Sequence, residues 1–192
     1  LNDVPPGATL VFSAHGVSKA IQEEARARGF QIFDATCPLV TKVHVEVAKL
    51  AKEGYEFIMI GHKGHPEVEG TMGQLDHGIH LVEEVEDVAR VSPRQTERLA
   101  VVTQTTLSVD DAAHIAQAIK ARFPMVREPK HQDICYATQN RQDAVKLMSS
   151  QVDIVIVVGS PTSSNSNRLA EVARKLGTPG YMVDRAEDLQ PH

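Results

Sequence analysis

A chain of 192 residues has room for one large domain or two small ones. Its apolar content of 42% and charged content of 23% are ordinary for a globular protein, and no apolar run approaches the roughly 18 residues that a membrane-spanning helix needs. The formal net charge of −5, with Lys and Arg dispersed, gives no support to nucleic-acid binding, and two cysteines argue against a disulfide framework and suit a reducing, cytoplasmic setting.

In chain order, Asn2-Asp3-Val4-Pro5-Pro6-Gly7 is turn-like, and with Leu1 as first residue the sequence reads as the middle of a longer protein. A strand is expected at Thr9–Phe12, a helix at Val17–Arg28, a strand at Phe30–Phe33, and a helix at Leu39–Lys52 with an apolar face of Val40, Val43, Val47 and Leu50. Phe57–Ile60 is a strand followed by a polar loop. His80–Val82 is another strand, then a short acidic helix at Glu84–Arg90, a strand at Leu99–Thr103 and a helix at Val109–Arg122. Tyr136–Ser150 is helical, Ile154–Val158 a strand, Asn165–Leu176 a helix and Tyr181–Val183 the last strand. Gly29, Gly54 and Gly177 stand where helices should stop. The β-branched run Ile154-Val155-Ile156-Val157-Val158 is what a strand buried on both faces would carry. Strands alternating with helices imply an α/β fold of parallel sheets covered by helices. One lobe spans about Cys37 to Lys130, flanked by parts of others.

Polar residues collect after the strands, where ligands bind in parallel sheets. They are Ser13-Ala14-His15-Gly16, Asp34-Ala35-Thr36-Cys37, Gly61-His62-Lys63-Gly64-His65-Pro66-Glu67, Thr103-Gln104-Thr105-Thr106 and Gly159-Ser160 to Ser166-Asn167. Hydroxyls and free N–H groups at helix starts make an anion site, although Ser, Thr and Asn are also ordinary N-caps. The run Ser163-Ser164-Asn165-Ser166-Asn167 exceeds what one cap needs. Cys37 and Cys135 suit a soft metal or an iron–sulfur cluster, or are inert buried thiols. His62 and His65 with Glu67 could serve a zinc-dependent phosphatase, but the spacing lacks a third ligand and leaves the cysteines unexplained. His65 with Glu67 reads better as a proton-donating pair, with Glu69 as a decoy.

The stretch Asp34-Ala35-Thr36-Cys37-Pro38-Leu39-Val40-Thr41-Lys42-Val43-His44 closely resembles a signature of the 4-hydroxy-3-methylbut-2-enyl diphosphate reductases, the last enzymes of the non-mevalonate isoprenoid pathway. Matches in the same order are Phe12 to Ser18, Gly61 to Thr71, Thr103 to Ser108, Asp133 to Thr138, and Val158 to Leu169. The resemblance covers nearly the whole chain. It implies three related α/β lobes around a central [4Fe–4S] cluster, with residues 1–37 the end of the first lobe, 38–131 the second, and 132–192 the start of the third. It implies that Cys37 and Cys135 are two of three cluster ligands, the third lying upstream. His15, His65, Thr105, Ser163, Ser164 and Asn165 would bind substrate, and Glu67 would donate a proton. The implied reaction is reductive dehydroxylation to isopentenyl and dimethylallyl diphosphate. A flavodoxin- or ferredoxin-like protein would supply electrons to a monomeric enzyme. The fragment alone is expected to be inactive. The alternative is a non-catalytic α/β chain without a cluster.

Overall fold

The computed structural model describes residues 1–129 and 133–189. The expected lobe boundary at residues 131 and 132 and the terminal Gln190-Pro191-His192 lie outside them. Among the described residues there are three parallel sheets. The first pairs β1 (Thr9–Phe12) with β2 (Gln31–Asp34). The second has the order β4-β3-β5 (Ile79–Val82, Glu56–Ile60, Leu99–Thr103). The third pairs β6 (Val155–Val158) with β7 (Gly180–Val183). The helices are α1 (Lys19–Ala27), α2 (Pro38–Lys52), α3 (Pro66–Met72), α4 (Val109–Arg122), α5 (Tyr136–Ser149) and α6 (Ser164–Lys175). The parallel α/β class expected from the alternation is therefore the class observed.

The chain forms two compact units. Residues 1–104 and 114–133 make the first, and residues 105–113 with the chain from Ile134 onward make the second. In the first unit, the apolar stripe of α2 behaves as its spacing dictates. Val43, Val47 and Leu50 pack on Phe57 and Met59 of β3, Ala100 and Val102 of β5, and Val68 of α3. Ile58, Ile60 and Val101, on the opposite face of the same strands, are buried too, so β3 and β5 are the strands enclosed on both sides. The second unit has a smaller core of Val145, Val155, Val157, Ala170, Val172 and Ala173.

Three expectations need correction. The segment after β3 is not a loop throughout, because Pro66–Met72 is helical. Pro66 at the first position with Glu67 and Glu69 in the first turn is a helix-start pattern, hidden by the shortness of the segment and by Gly70 inside it. The acidic segment is a 3₁₀ helix over Val85–Arg90. The run at 154–158 is not buried on both faces: Val155 and Val157 are buried, while Ile156 and Val158 are 47% and 78% exposed. In a two-stranded sheet packed by α6 on one side, alternate side chains have nothing to cover them. A short addition went unforeseen. Arg127 bridges to Ala100 and exchanges backbone hydrogen bonds with Leu99 and Val101, extending the central sheet beside β5.

Leu50→Ala should cost about 2–5 kcal/mol, because a fully enclosed side chain leaves a cavity. Val158→Ala should change stability by under about 0.5 kcal/mol. Urea unfolding of the chain measures both. A loss at Val158 as large as that at Leu50 would refute the one-sided β6.

Candidate functional site

In the first unit the site residues follow the carboxyl ends of β1, β2, β3 and β5. Two glycines let the β1 loop close onto α3. Gly16 has φ +73°, open to glycine without strain. A Cβ on Gly16 would stand 2.8 Å from His44 Cε1, and one on Gly70 would stand 3.1 Å from the Gly16 carbonyl oxygen. This approach sets the His15 ring edge-on to His65, with centroids 5.4 Å apart and planes at 83°. Ser13 Oγ lies 3.2 Å from His15 Nδ1.

His65 is the N-cap of α3, and its Nδ1 accepts the Glu67 backbone N–H at 3.2 Å. A ring nitrogen that accepts carries no proton, so the neutral ring bears its hydrogen on Nε2. The electrostatics agree. Burial, followed by the neighbouring His15 and His62, pushes the His65 pKa below its ordinary value. Glu67 itself is 3% exposed. Gln104, fully buried after β5, accepts the His62 backbone N–H through Oε1 at 3.1 Å.

Cys37 and Cys135 play matching parts in their own units. Each is the N-cap residue of a helix, α2 and α5, with nearly equal backbone angles (φ −56°, ψ 133° and φ −57°, ψ 130°). Neither side chain makes a capping hydrogen bond. Both are free thiols of intermediate exposure. The Cys37 N–H bonds the Ala14 carbonyl, and the Cys135 N–H bonds the Thr105 carbonyl at 2.9 Å. Among the described residues, no group of three or more His, Cys, Asp or Glu is arranged to hold a metal ion. His62, His65 and Glu67 therefore do not form the zinc set considered from sequence.

In the second unit, Ser163 caps α6, its Oγ accepting the Ser166 N–H at 3.3 Å and the Ser166 hydroxyl at 3.1 Å. Ser164 Oγ donates to the Thr106 carbonyl and accepts from the Thr106 hydroxyl, both at 3.1 Å. Asn165 differs. Its Oδ1 is buried and has no hydrogen-bond partner among the described residues. Thr105 is buried.

Sequence reasoning passed over several residues around this site. His44 is half-buried on α2, with Nε2 3.1 Å from Thr71 Oγ1 of α3, and burial lowers its pKa while Asp34 opposes the shift. Asp133 has no exposed side-chain surface. It accepts Lys42 Nζ at 3.1 Å on Oδ1 and the Thr103 N–H at 3.3 Å on Oδ2. Burial pushes its carboxyl up from the usual range, against the pull of Lys42. His44 and Asp133 both lie inside the motifs quoted above; His44 is a polar residue beside the buried stripe of α2, whereas Asp133 carries no local signal.

The family model described as LytB protein matches residues 2–192. The chain belongs to the LytB family. It is 85% identical over 190 residues to the 4-hydroxy-3-methylbut-2-enyl diphosphate reductase of Polaromonas sp. (strain JS666 / ATCC BAA-500), covering 99% of this chain and 57% of that protein. It is 69% identical to the enzyme of the same name from Ralstonia nicotianae, over 100% of this chain and 59% of that protein. Among solved structures, the E-1-hydroxy-2-methyl-but-2-enyl-4-diphosphate reductase from Plasmodium falciparum matches with a TM-score of 0.95 at 44% identity, over 99% of this chain and 60% of that one. The LytB chain thus spans less than two thirds of the length of these relatives.

For His44, a folded-state pKa below 6.5 means that protonation favours the unfolded chain. Its contribution is complete above pH ~6.5 and is lost as pH falls from there towards the lowered folded-state value. The unfolding free energy of the wild type should therefore drop between pH 7.5 and 5.5, and His44→Gln should flatten that slope. Urea midpoints at the two pH values test this, and equal slopes would refute it.

Proposed function

We propose that these residues form part of the active site of a 4-hydroxy-3-methylbut-2-enyl diphosphate reductase, which replaces the substrate hydroxyl by hydrogen with two electrons and two protons, one proton leaving with the hydroxyl as water and one ending on carbon, to give isopentenyl and dimethylallyl diphosphate. The observation that carries the reading is the buried Glu67, in the first turn of a helix capped by His65, with His15 edge-on to that ring. A carboxyl group excluded from water, two residues after the histidine that caps its helix, suits a proton donor better than a structural role. Identity of 85% to a reductase over almost the whole chain also favours the enzyme.

The donor set suits an iron–sulfur cluster in kind. Cys37 and Cys135 are disulfide-free, and neither sulfur is spent on its helix cap. The unpaired N–H groups of a helix start complement the negative charge of a thiolate-ligated cluster. Two thiolates are fewer than such a cluster takes, so a further ligand is required from outside these 192 residues. When bound, the cluster supplies the two electrons and a Lewis-acidic iron. A flavodoxin- or ferredoxin-like protein is the proposed source of those electrons.

The remaining work falls to the protein. His65, neutral with its proton on Nε2, and His15 offer N–H donors to the diphosphate. Ser163, Ser164 and Asn165 would bring hydroxyl and amide groups to it at the start of α6, where a helix N-terminus favours an anion. Asn165 would bind the anion through its Nδ2 hydrogens, while its Oδ1, buried and without a partner among the described residues, is an acceptor and makes no bond to an anion. Thr105 lies by the substrate. Glu67 delivers the proton to the departing oxygen.

In a full-length LytB reductase carrying these residues, Glu67→Gln should keep the cluster's visible absorption and lower turnover by about 10²–10⁴-fold. Glu69→Gln should have little effect, and turnover of Glu67→Gln near wild type would sink the assignment.

Asn165→Ala tests the anion site more cleanly than Ser163→Ala, which would also remove a cap worth about 1 kcal/mol. Inhibition by free inorganic diphosphate should weaken by about tenfold or more in Asn165→Ala, given about 1.5–3 kcal/mol for a hydrogen bond to a charged group. Unchanged inhibition would remove Asn165 from the site.

A further inference from the structure

We infer that the Lys42–Asp133 ion pair is the positioning element for Cys135, anchoring the root of the turn from which that thiol is presented. Three observations carry this. Asp133 precedes Cys135 by two residues, and its side chain is wholly buried. Its two carboxylate oxygens are committed to different elements: Oδ1 to Lys42 Nζ on α2 and Oδ2 to the Thr103 N–H at the end of β5. Lys42 in turn stands five residues after Cys37, on the helix that Cys37 caps. A buried carboxylate held by a cation and a backbone donor cannot slide without leaving a charge unpaired, so the position of residue 133 is fixed sharply. From there, one intervening residue leads to Cys135, whose N–H bonds the Thr105 carbonyl and whose own carbonyl accepts the Gln139 N–H of α5. An apolar residue at 133 would fill the space, but it would not select one register for the turn.

The inference rests on the cluster reading only for the purpose of the thiol. Its test therefore has one readout that needs no cluster. In apo full-length protein, Lys42→Met and Asp133→Asn should each speed hydrogen exchange at the Cys135 and Gln139 amides by about tenfold or more, while the amides of Phe57–Ile60 stay within about twofold. Lys42→Arg, which keeps the charge, should remain near wild type. The double variant Lys42→Met/Asp133→Asn should be no faster than the faster single variant, as expected of two groups acting as one unit. In reconstituted protein, the same single variants should release iron to a chelator about tenfold faster than Glu69→Gln. Unchanged exchange at Cys135 overturns the inference. So does equal acceleration at Phe57–Ile60, which would make the pair a general stabiliser, and so does Lys42→Arg as fast as Lys42→Met. Failure of the wild type to take up iron would instead count against the cluster reading and leave the exchange comparison intact.

Discussion

The first unit's site depends on how closely two backbones can approach. The carbonyl of Gly16 occupies the space that a side chain on Gly70 would need, and the edge of the His44 ring fills the space beside Gly16. Close packing of this kind leaves little freedom. The loop that carries His15 is pressed on a seven-residue helix whose cap is His65 and whose first turn holds Glu67. A helix this short has little stability of its own. It persists because Val68 enters the core beside α2 and β3, and because Thr71 meets His44.

Burial then sets the chemistry. A solvated histidine is a mixture of charge states near neutral pH. His65 is pushed toward the neutral form by burial and by two neighbouring imidazoles, and the Glu67 N–H selects its tautomer. A neutral donor of fixed tautomer can bind an anion without bringing a mobile proton of its own. That leaves the proton to the carboxyl group, which separates binding from acid catalysis in the proposed reaction.

The second unit shows how capping and recognition share one loop. Ser163 satisfies the backbone of α6 and Ser164 ties the loop to Thr106, so both hydroxyls already have structural work. Asn165 Oδ1 has no hydrogen-bond partner among the described residues. The excess of Ser and Asn beyond a single cap was visible in the sequence. Which of them is surplus was not, because the answer depends on a partner 58 residues away.

Local sequence determined the elements and the class of chemistry. The stripe Val43, Val47 and Leu50 demanded a helix with one buried face, and glycines at 29, 54 and 177, all at positive φ, ended their helices as expected. Pro38 and Pro66, each opening a helix, put Cys37 and His65 at N-caps. Tertiary structure decided what periodicity cannot carry. The β-branched run of β6 looks the same whether one face or two are covered, and only the count of neighbouring strands and helices exposes Val158. Asp133 reads as a loop acid until Lys42, 91 residues away, is folded against it. A side chain's identity fixes which bonds it can make, but only the fold brings distant partners within reach and removes the water that would otherwise replace them.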